Sequence, residues 1–391
     1  MEFAKKYSIF ANKNINCHMI DRSIEKDIEK RLFKGKAIVV MGARQVGKTT
    51  LLKKLFSTGN DIMWLNGDQS STRALFENIS LTRIKPIIGN SKILIIDEAQ
   101  RIKDIGIKLK IIIDGMPELQ VIATGSSSFD LANKINEPLT GRKWEYNLFP
   151  LSFNELAKST NVMEEMLSLP QRLVYGSFPE VINNVNDEQR TLIELTDSYL
   201  YKDILEFDNI HKPDKLVNLL QAIAYQIGSE VSYTELSQLT GIDVKTVDKY
   251  LTILEQAYII FRLRSFSRNL RNELKNSRKI YFYDNGIRNA AIRDFAPAEV
   301  RGDVGALFEN YIISERIKRK HYTGDYSISR FWRTTTQQEI DYIEEKDGTI
   351  KAFEIKWNPN RKAKLPLSFK NAYQNVEFHV INRDNFYEFL I

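Results

Sequence analysis

A glycine-rich stretch, MGARQVGKTTLL at residues 41–52, has the residue types and spacing of a phosphate-binding loop. Gly42, Gly47, Lys48 and Thr49 satisfy the pattern G-x-x-x-x-G-K-[ST], and the apolar run AIVV precedes them as a buried strand would. Glycines let backbone N–H groups turn inward around a phosphate because no Cβ stands in the way. Lys48 would neutralise the β- and γ-phosphates, and the Thr49 hydroxyl would bind Mg²⁺. The stretch predicts ATP binding by Gly42, Ala43, Arg44, Gln45, Val46, Gly47, Lys48, Thr49 and Thr50.

An acidic pair ends the next motif, ILIIDEAQRI at residues 93–102. Four apolar residues predict a buried strand that ends in Asp97, where a carboxylate could hold Mg²⁺ through water opposite the phosphate-binding loop. Glu98 follows directly and would orient or deprotonate an attacking water. We therefore expect ATP hydrolysis with Glu98 as the catalytic residue and Asp97 as a metal ligand.

Two further polar positions have open interpretations. Ser126 directly follows the apolar run LQVIATG, with Ser127 and Ser128 after it, and could contact the γ-phosphate, since ligands bind at the carboxyl ends of parallel strands. The serines there could equally cap the next helix. Arg142 lies on a glycine turn before WEYNLF and could act as an arginine finger on a neighbouring subunit of a homo-oligomer. A surface salt bridge is the alternative.

The C-terminal part carries a second set of acids. Glu309 lies in the helical pattern GALFENYIISE, Asp341 in QQEIDYIEE, and Glu354 and Lys356 in IKAFEIKW. Residues two apart on a strand share a face, so Glu354 and Lys356 point together. This set resembles the PD-(D/E)xK nuclease pattern, which implies Mg²⁺ binding by Asp341 and Glu354, support from Glu309 and a role for Lys356 at the attacking water. The same alternation could equally be a solvated strand face.

A basic segment, FRLRSFSRNLRNELKNSRKIYFYD, follows two predicted helices in SYTELSQLTGIDVKTVDKYLTILEQAYII. We interpret the two helices and the segment as a winged helix, with Ser232 and Asp243 as helix N-caps. Such a unit binds DNA through phosphate contacts, or serves as a protein-interaction module. The predicted DNA-binding residues are Arg262, Arg264, Arg268, Arg271, Lys275 and Arg278, and Lys279 completes the basic set.

The elements that must position these residues follow from pattern and composition. Short β-rich runs alternate with helical patterns up to residue 150, which predicts a parallel sheet covered by helices. A net charge of +6 favours an anionic partner, and the single cysteine, Cys17, excludes intrachain disulfides and makes a Cys/His zinc site improbable. Neither a signal peptide nor a membrane span is expected, so we predict a soluble cytoplasmic protein.

Taken together, GARQVGKTTLL, ILIIDEAQRI, VIATGSSS, LTGRKWEYNLFPLSFNEL, YGSFPEV and YLYKDI resemble the AAA+ ATPases of bacteria and archaea that carry a C-terminal DUF4143 region. The resemblance implies an α/β P-loop core with ATP and Mg²⁺ as cofactors. The predicted organisation is an N-terminal arm (1–20), a AAA+ core (21–150), a helical lid (151–210), a winged helix (211–295) and an α+β nuclease-like domain (296–391). Two functions remain open: an ATPase that acts on DNA, and a nucleotide-controlled switch that binds a protein partner.

Overall fold

A computed structural model describes residues 19–57, 61–126, 139–198, 212–267 and 277–391. The first part contains α1 (Glu25–Arg31), β1 (Ala37–Met41), α2 (Lys48–Leu55), β2 (Ile62–Asn66), α3 (Ser70–Glu77), α4 (Leu81–Ile88), β3 (Ile93–Asp97), α5 (Ile105–Gly115), β4 (Gln120–Gly125) and β5 (Lys143–Asn147). Helices α6 (Phe153–Ser159), α7 (Val162–Leu167), α8 (Leu169–Tyr175), α9 (Pro179–Asn183) and α10 (Glu188–Ser198) follow.

The remainder begins with α11 (Pro213–Tyr225), β6 (Glu230–Val231), α12 (Tyr233–Thr240), α13 (Val244–Gln256), β7 (Ile260–Ser265), β8 (Arg278–Phe282) and α14 (Asn285–Ala291). It ends with α15 (Val304–Thr323), β9 (Ile328–Arg333), β10 (Glu339–Lys346), β11 (Thr349–Lys356), α16 (Leu367–Ala372), β12 (Val376–Asn382) and α17 (Phe386–Leu390). None of the helices in the described ranges is both long and apolar enough to cross a membrane.

The first sheet has five strands in the order β2-β3-β4-β1-β5, and all its pairings are parallel. The predicted apolar runs are its strands, which confirms the α/β class and the parallel sheet. Every residue of β1 and of β4 is buried, as expected for central strands covered by helices on both faces. Because the strands are parallel, their carboxyl ends meet at one edge, where β1 leads into the glycine-rich loop and β3 ends at Asp97.

A second sheet of seven strands has the order β12-β11-β10-β9-β7-β8-β6. The elements α11, β6, α12, α13, β7 and β8 follow one another along the chain, and β8 pairs antiparallel with both β6 and β7. The winged helix stays a prediction. Ser232 and Asp243 accept hydrogen bonds from Glu235 N and Thr246 N as the N-caps of α12 and α13. Strand β7 pairs in parallel with β9, so the boundary predicted at residue 296 does not separate two sheets.

The helices after β5 are anchored to this second sheet through the loop that precedes α9. Asp284, at the N-cap of α14, accepts a 2.7 Å hydrogen bond from Ser177 N. Gly176 has φ +69°, and a Cβ there would lie 1.9 Å from Asp284 Oδ1, so glycine is required for this approach. The segment YGSFPE therefore packs against the start of α14, which directly follows β8.

Candidate nucleotide-binding site

The glycine-rich loop connects β1 to α2 at the carboxyl edge of the first sheet. A Cβ on Gly42 would lie 2.0 Å from Leu148 O, so the backbone passes too close to the strand β5 exit for any side chain. Gly47 has φ +95°, a conformation that favours glycine, and α2 begins at the next residue, Lys48. Residues Ala43–Val46 complete the loop, and Thr49 and Thr50 lie in the first turn of α2. The predicted strand–loop–helix context is present.

The two side chains that end the motif point to the same region. Lys48 is buried, and its Nζ donates to Gly42 O at 2.9 Å and to Ala43 O at 2.8 Å. Thr49 Oγ1 donates to Asp97 Oδ2 at 2.8 Å. The loop hydroxyl and the strand-end carboxylate are therefore neighbours, although 48 residues separate them in the chain. Two oxygen ligands at one point suit Mg²⁺, which takes few protein oxygens and keeps several waters.

The end of β3 is held by a small polar network. The buried Thr124 hydroxyl donates to Asp97 Oδ1 and accepts from Glu98 N at 3.1 Å. Gln100 Nε2 donates to Glu98 Oε2 at 2.5 Å and to Ser126 Oγ at 2.8 Å. The structure thus brings Glu98 and Ser126 together through Gln100, which the sequence interpretation missed. The position of Gln100 three residues after Asp97, in the sequence DEAQ, could have indicated this role.

Arg142 is not part of this cluster. It precedes β5 at the amino edge of the sheet, about 15 Å of strand away from the loop at the opposite edge. Its Nε donates to Asp114 Oδ1 at 2.8 Å, and both side chains are about half exposed. The observed contact is the surface salt bridge of the alternative interpretation. Action on a neighbouring subunit stays a prediction, because this position cannot reach the nucleotide of its own chain.

The C-terminal acids lie close to two lysines. Asp341 Oδ2 accepts from Ile355 N at 2.8 Å and lies 3.5 Å from Lys356 Nζ. Lys356 Nζ lies 2.6 Å from Glu354 Oε1, so both strand acids share one ammonium. Burial, and then the neighbouring Asp341 carboxylate, raise the pKa of Glu354 above its usual value.

Glu309 is neutralised by a residue that the sequence interpretation assigned to the basic wing. Its Oε1 accepts from Tyr281 Oη at 2.7 Å and lies 3.2 Å from Lys279 Nζ. Lys279 also pairs with Glu339 and is 1% exposed, so it lies inside the protein and not on its surface. Within the described ranges, no group of three His, Cys, Asp or Glu side chains is arranged to hold a metal ion. Metal binding by Glu309, Asp341 and Glu354 stays a prediction.

The described members of the basic segment have different surroundings. Arg262 donates to Asp248 Oδ1 at 2.8 Å and also pairs with Glu255, so α13 neutralises it. Arg278 donates to Tyr233 Oη at 2.7 Å, whereas Arg264 is exposed and forms no ion pair with a described residue. Arg268, Arg271 and Lys275 lie outside the described residues, as do Ser127 and Ser128.

Comparison with known proteins divides the chain into three matched regions. Residues 34–157 match an AAA domain, residues 166–298 a domain of unknown function (DUF8612), and residues 304–389 a domain of unknown function (DUF4143). The chain is similar to the uncharacterized protein MJ1544 of Methanocaldococcus jannaschii, with 25% identity over 92% of this chain and 83% of that one. It is also similar to the uncharacterized protein Rv2008c of Mycobacterium tuberculosis, with 24% identity over 88% and 75% of the two chains.

Among solved structures, the Walker-type ATPase PABY2304 of Pyrococcus abyssi matches 72% of this chain and 98% of its own, with 15% identity and a TM-score of 0.48. The AAA match covers the glycine-rich loop, Asp97, Glu98 and the whole five-stranded sheet. The DUF4143 match covers Glu309, Asp341, Glu354 and Lys356. The chain therefore carries an AAA domain of the P-loop ATPase type at residues 34–157 and a DUF4143 domain at residues 304–389.

Proposed function

We propose that this protein is a Mg²⁺-dependent ATPase that binds DNA and couples ATP binding and hydrolysis to work on DNA. The observation that carries the ATPase activity is the 2.8 Å hydrogen bond from Thr49 Oγ1 to Asp97 Oδ2. This contact supports a shared Mg²⁺ site, with Thr49 as a direct ligand and Asp97 acting through water.

Each side chain of the site has a separate task in this proposal. The loop N–H groups and Lys48 bind and orient the phosphates, and Mg²⁺ would neutralise charge that develops on the γ-phosphate. Glu98 accepts a proton from the attacking water or orients it, while Gln100 fixes the position of the Glu98 carboxylate. Ser126 is linked to Glu98 through the same amide group and is available to sense the γ-phosphate.

The test compares two variants that remove different steps. Lys48→Ala is expected to abolish ATP binding, because a phosphate-binding charge is lost. Glu98→Gln is expected to keep ATP binding and to lower kcat by about 100-fold or more, since a general base contributes ~10²–10⁴-fold. Binding is measured with a fluorescent ATP analogue, and turnover by phosphate release. Wild-type turnover in the Glu98→Gln protein would contradict the assigned role.

DNA binding is supported by a row of three arginines on the neighbouring strands β8, β7 and β9 of the second sheet. Arg264 on β7 pairs in register with Arg278 on β8 and with Arg330 on β9. Directly opposite residues point to the same face of a sheet, and like charges there are destabilising unless an anion lies between them. Arg278 lies 3.7 Å from Asp248, whereas Arg264 and Arg330 form no ion pair with any residue in the described ranges. A phosphodiester backbone supplies the missing negative charge.

The second candidate is a nucleotide-controlled switch that binds a protein partner and has a C-terminal domain that cleaves nothing. It is favoured by the lysines in the acid cluster, because Lys279 and Lys356 already neutralise the predicted metal ligands. Stimulation of ATP hydrolysis by DNA separates the two functions, since only the first predicts it. Mg²⁺- or Mn²⁺-dependent DNA cleavage that Lys356→Ala abolishes would add a nuclease activity to the first.

A further inference from the structure

Arg22 lies just before α1, outside every motif discussed above, and its side chain is buried. Its guanidinium donates to Val46 O at 2.6 Å, to Phe149 O at 2.5 Å and to Glu155 Oε1 at 3.1 Å. Burial alone would lower the pKa of Arg22, but the Glu155 carboxylate raises it, so the guanidinium stays charged. One rigid donor group therefore connects three segments of the P-loop domain.

The carboxylate that holds Arg22 is itself fixed. Glu155 is 1% exposed, and it accepts hydrogen bonds from Ser152 N at 2.9 Å and from Ser23 N at 2.8 Å. These bonds occupy both carboxylate oxygens, so Glu155 cannot turn away from Arg22 without leaving N–H groups unpaired. The planar fork of the guanidinium then fixes the direction in which Arg22 donates to Val46.

Val46 is part of the phosphate-binding loop, and its carbonyl shares one peptide plane with the N–H of Gly47. The carbonyl and the N–H of a trans peptide point in opposite directions. With the Val46 carbonyl held by Arg22, the Gly47 N–H is directed away from Arg22, into the loop where phosphates would bind. Arg22 Nη1 also lies 3.7 Å from the position of a Cβ on Gly47, so it forms the outer wall of the loop at that residue.

We propose that Arg22 is a positioning residue of the ATP site, which turns the Gly47 N–H toward the nucleotide phosphates by holding the Val46 carbonyl. The inference rests on the proposed ATPase function. Arg22 reaches Val46 from 24 residues earlier in the chain. It acts on phosphate binding through the backbone and makes no contact with the nucleotide itself.

The experiment measures ATP hydrolysis by the full-length Arg22→Gln and Arg22→Lys proteins. The KM for ATP is expected to rise about ten- to a hundred-fold in Arg22→Gln, the effect of losing a hydrogen bond to a charged group. The kcat is expected to stay within about three-fold, because the loop N–H groups bind phosphate equally in the ground state and the transition state. Arg22→Lys is expected to be intermediate, since an ammonium keeps the charge but lacks the fork.

Tyr322→Phe is the matched control, because the Tyr322 hydroxyl accepts from Arg22 Nη2 at 3.5 Å and from Phe149 N at 3.1 Å. Among the described residues, it forms no hydrogen bond with the phosphate-binding loop. Its KM for ATP is expected to match the wild type. If Arg22 only stabilised the fold, its replacement would leave a smaller folded fraction, so kcat per mole of protein would fall while KM stayed unchanged. That result overturns the inference. A wild-type protein that neither binds nor hydrolyses ATP overturns the proposed function itself.

A second measurement applies if both Arg22 variants fail to fold. The crystal structure of the unmodified protein with a non-hydrolysable ATP analogue is expected to keep Arg22 within hydrogen-bond distance of Val46 O and to place Gly47 N against a phosphate oxygen. A Val46 carbonyl rotated away from Arg22 in that complex overturns the inference.

Discussion

At the residue scale, the proposed catalytic carboxylate depends on a neighbour for its position. Glu98 has φ +50°, a conformation that is uncommon for a residue with a side chain, directly after the strand that ends at Asp97. Its carboxylate accepts from Gln100, whose amide nitrogen also bonds Ser126. A general base must lie within hydrogen-bond reach of the water that it activates, so fixing its orientation is part of its function.

Gln100→Ala is therefore expected to lower kcat by about ten-fold, because the Glu98 carboxylate loses the donor that holds it, while the KM for ATP stays unchanged. Steady-state hydrolysis at several ATP concentrations measures both constants. Glu194→Gln is the control, since it changes an exposed residue of α10 and is expected to leave kcat unchanged. An equal kcat in Gln100→Ala and wild type would show that Glu98 needs no such support.

Lys279 shows that the number of basic residues in a segment does not give the positive charge on its surface. It belongs to the basic segment in the sequence, yet its side chain is 1% exposed and lies between Glu309 and Glu339. Burial would lower the pKa of Lys279, but Glu309 and Asp341 outweigh it and raise the pKa. The ammonium therefore remains charged inside the acid cluster and does not contribute to a DNA-binding surface.

At the scale of elements, the N-terminal cap of α6 is connected to the phosphate-binding loop through Arg22. Ser152 Oγ accepts from Glu155 N, and Glu155 Oε2 accepts from Ser152 N, which is a capping box. Burial alone would raise the pKa of Glu155, but Arg22 and the N–H groups of Ser152 and Ser23 lower it below its usual value. The same side chain thus caps a helix and holds the buried arginine.

Glu155→Gln is expected to lower the free energy of unfolding at pH 7 by about 3–5 kcal/mol, the cost of leaving a buried charge without its partner. A lowered pKa in the folded state stabilises the protein above the pKa of the unfolded state, and this contribution is lost as pH falls through the folded value. The difference between variant and wild type should therefore shrink below about pH 4. Urea unfolding at several pH values measures it.

The control for this prediction is Glu194→Gln, which breaks the exposed pair with Arg190 at 2.8 Å on α10. Its effect is expected to stay within about 0.5 kcal/mol, because exposed ion pairs contribute little. Equal losses in the two variants at pH 7 would contradict a special role for the buried pair.

At the scale of the whole molecule, the second sheet joins the basic segment to the DUF4143 domain. Strand β7 pairs with β8 on one side and with β9 on the other, so Arg264 has an arginine opposite it on both neighbouring strands. Arg330 belongs to the domain that carries Asp341 and lies opposite Ile343, two residues along β10 from that acid. Arg264 and Arg330 therefore lie on strands next to the one that carries Asp341 or one strand removed from it.

Replacing Arg264 and Arg330 together with alanine is expected to weaken DNA binding on unrelated sequences alike, because phosphate contacts carry no sequence information. The slope of log affinity against log salt should fall by up to about two, since each lost phosphate contact removes ~0.9. Fluorescence anisotropy across a salt series measures the slope. Arg190→Ala changes an exposed arginine on α10 and should leave the slope unchanged.

The strands of the first parallel sheet, the phosphate-binding loop and the Asp97–Glu98 pair were predictable because short stretches of consecutive residues encode them. An apolar run, two glycines and the lysine between Gly47 and Thr49 define local backbone geometry without reference to the rest of the chain. Parallel strands then bring their carboxyl ends to one edge, which accounts for the approach of Thr49 to Asp97.

The partners of the buried charged side chains were decided only by the tertiary structure. Arg22 meets Val46 and Glu155 across 24 and 133 residues, and Lys279 meets Glu309 across 30. Periods of 2 and 3.6 residues predict which face of an element is buried, but they do not specify which distant side chain will neutralise a charge on that face. Packing sets that choice, because a charge removed from water must find its partner wherever the fold brings one within hydrogen-bond distance.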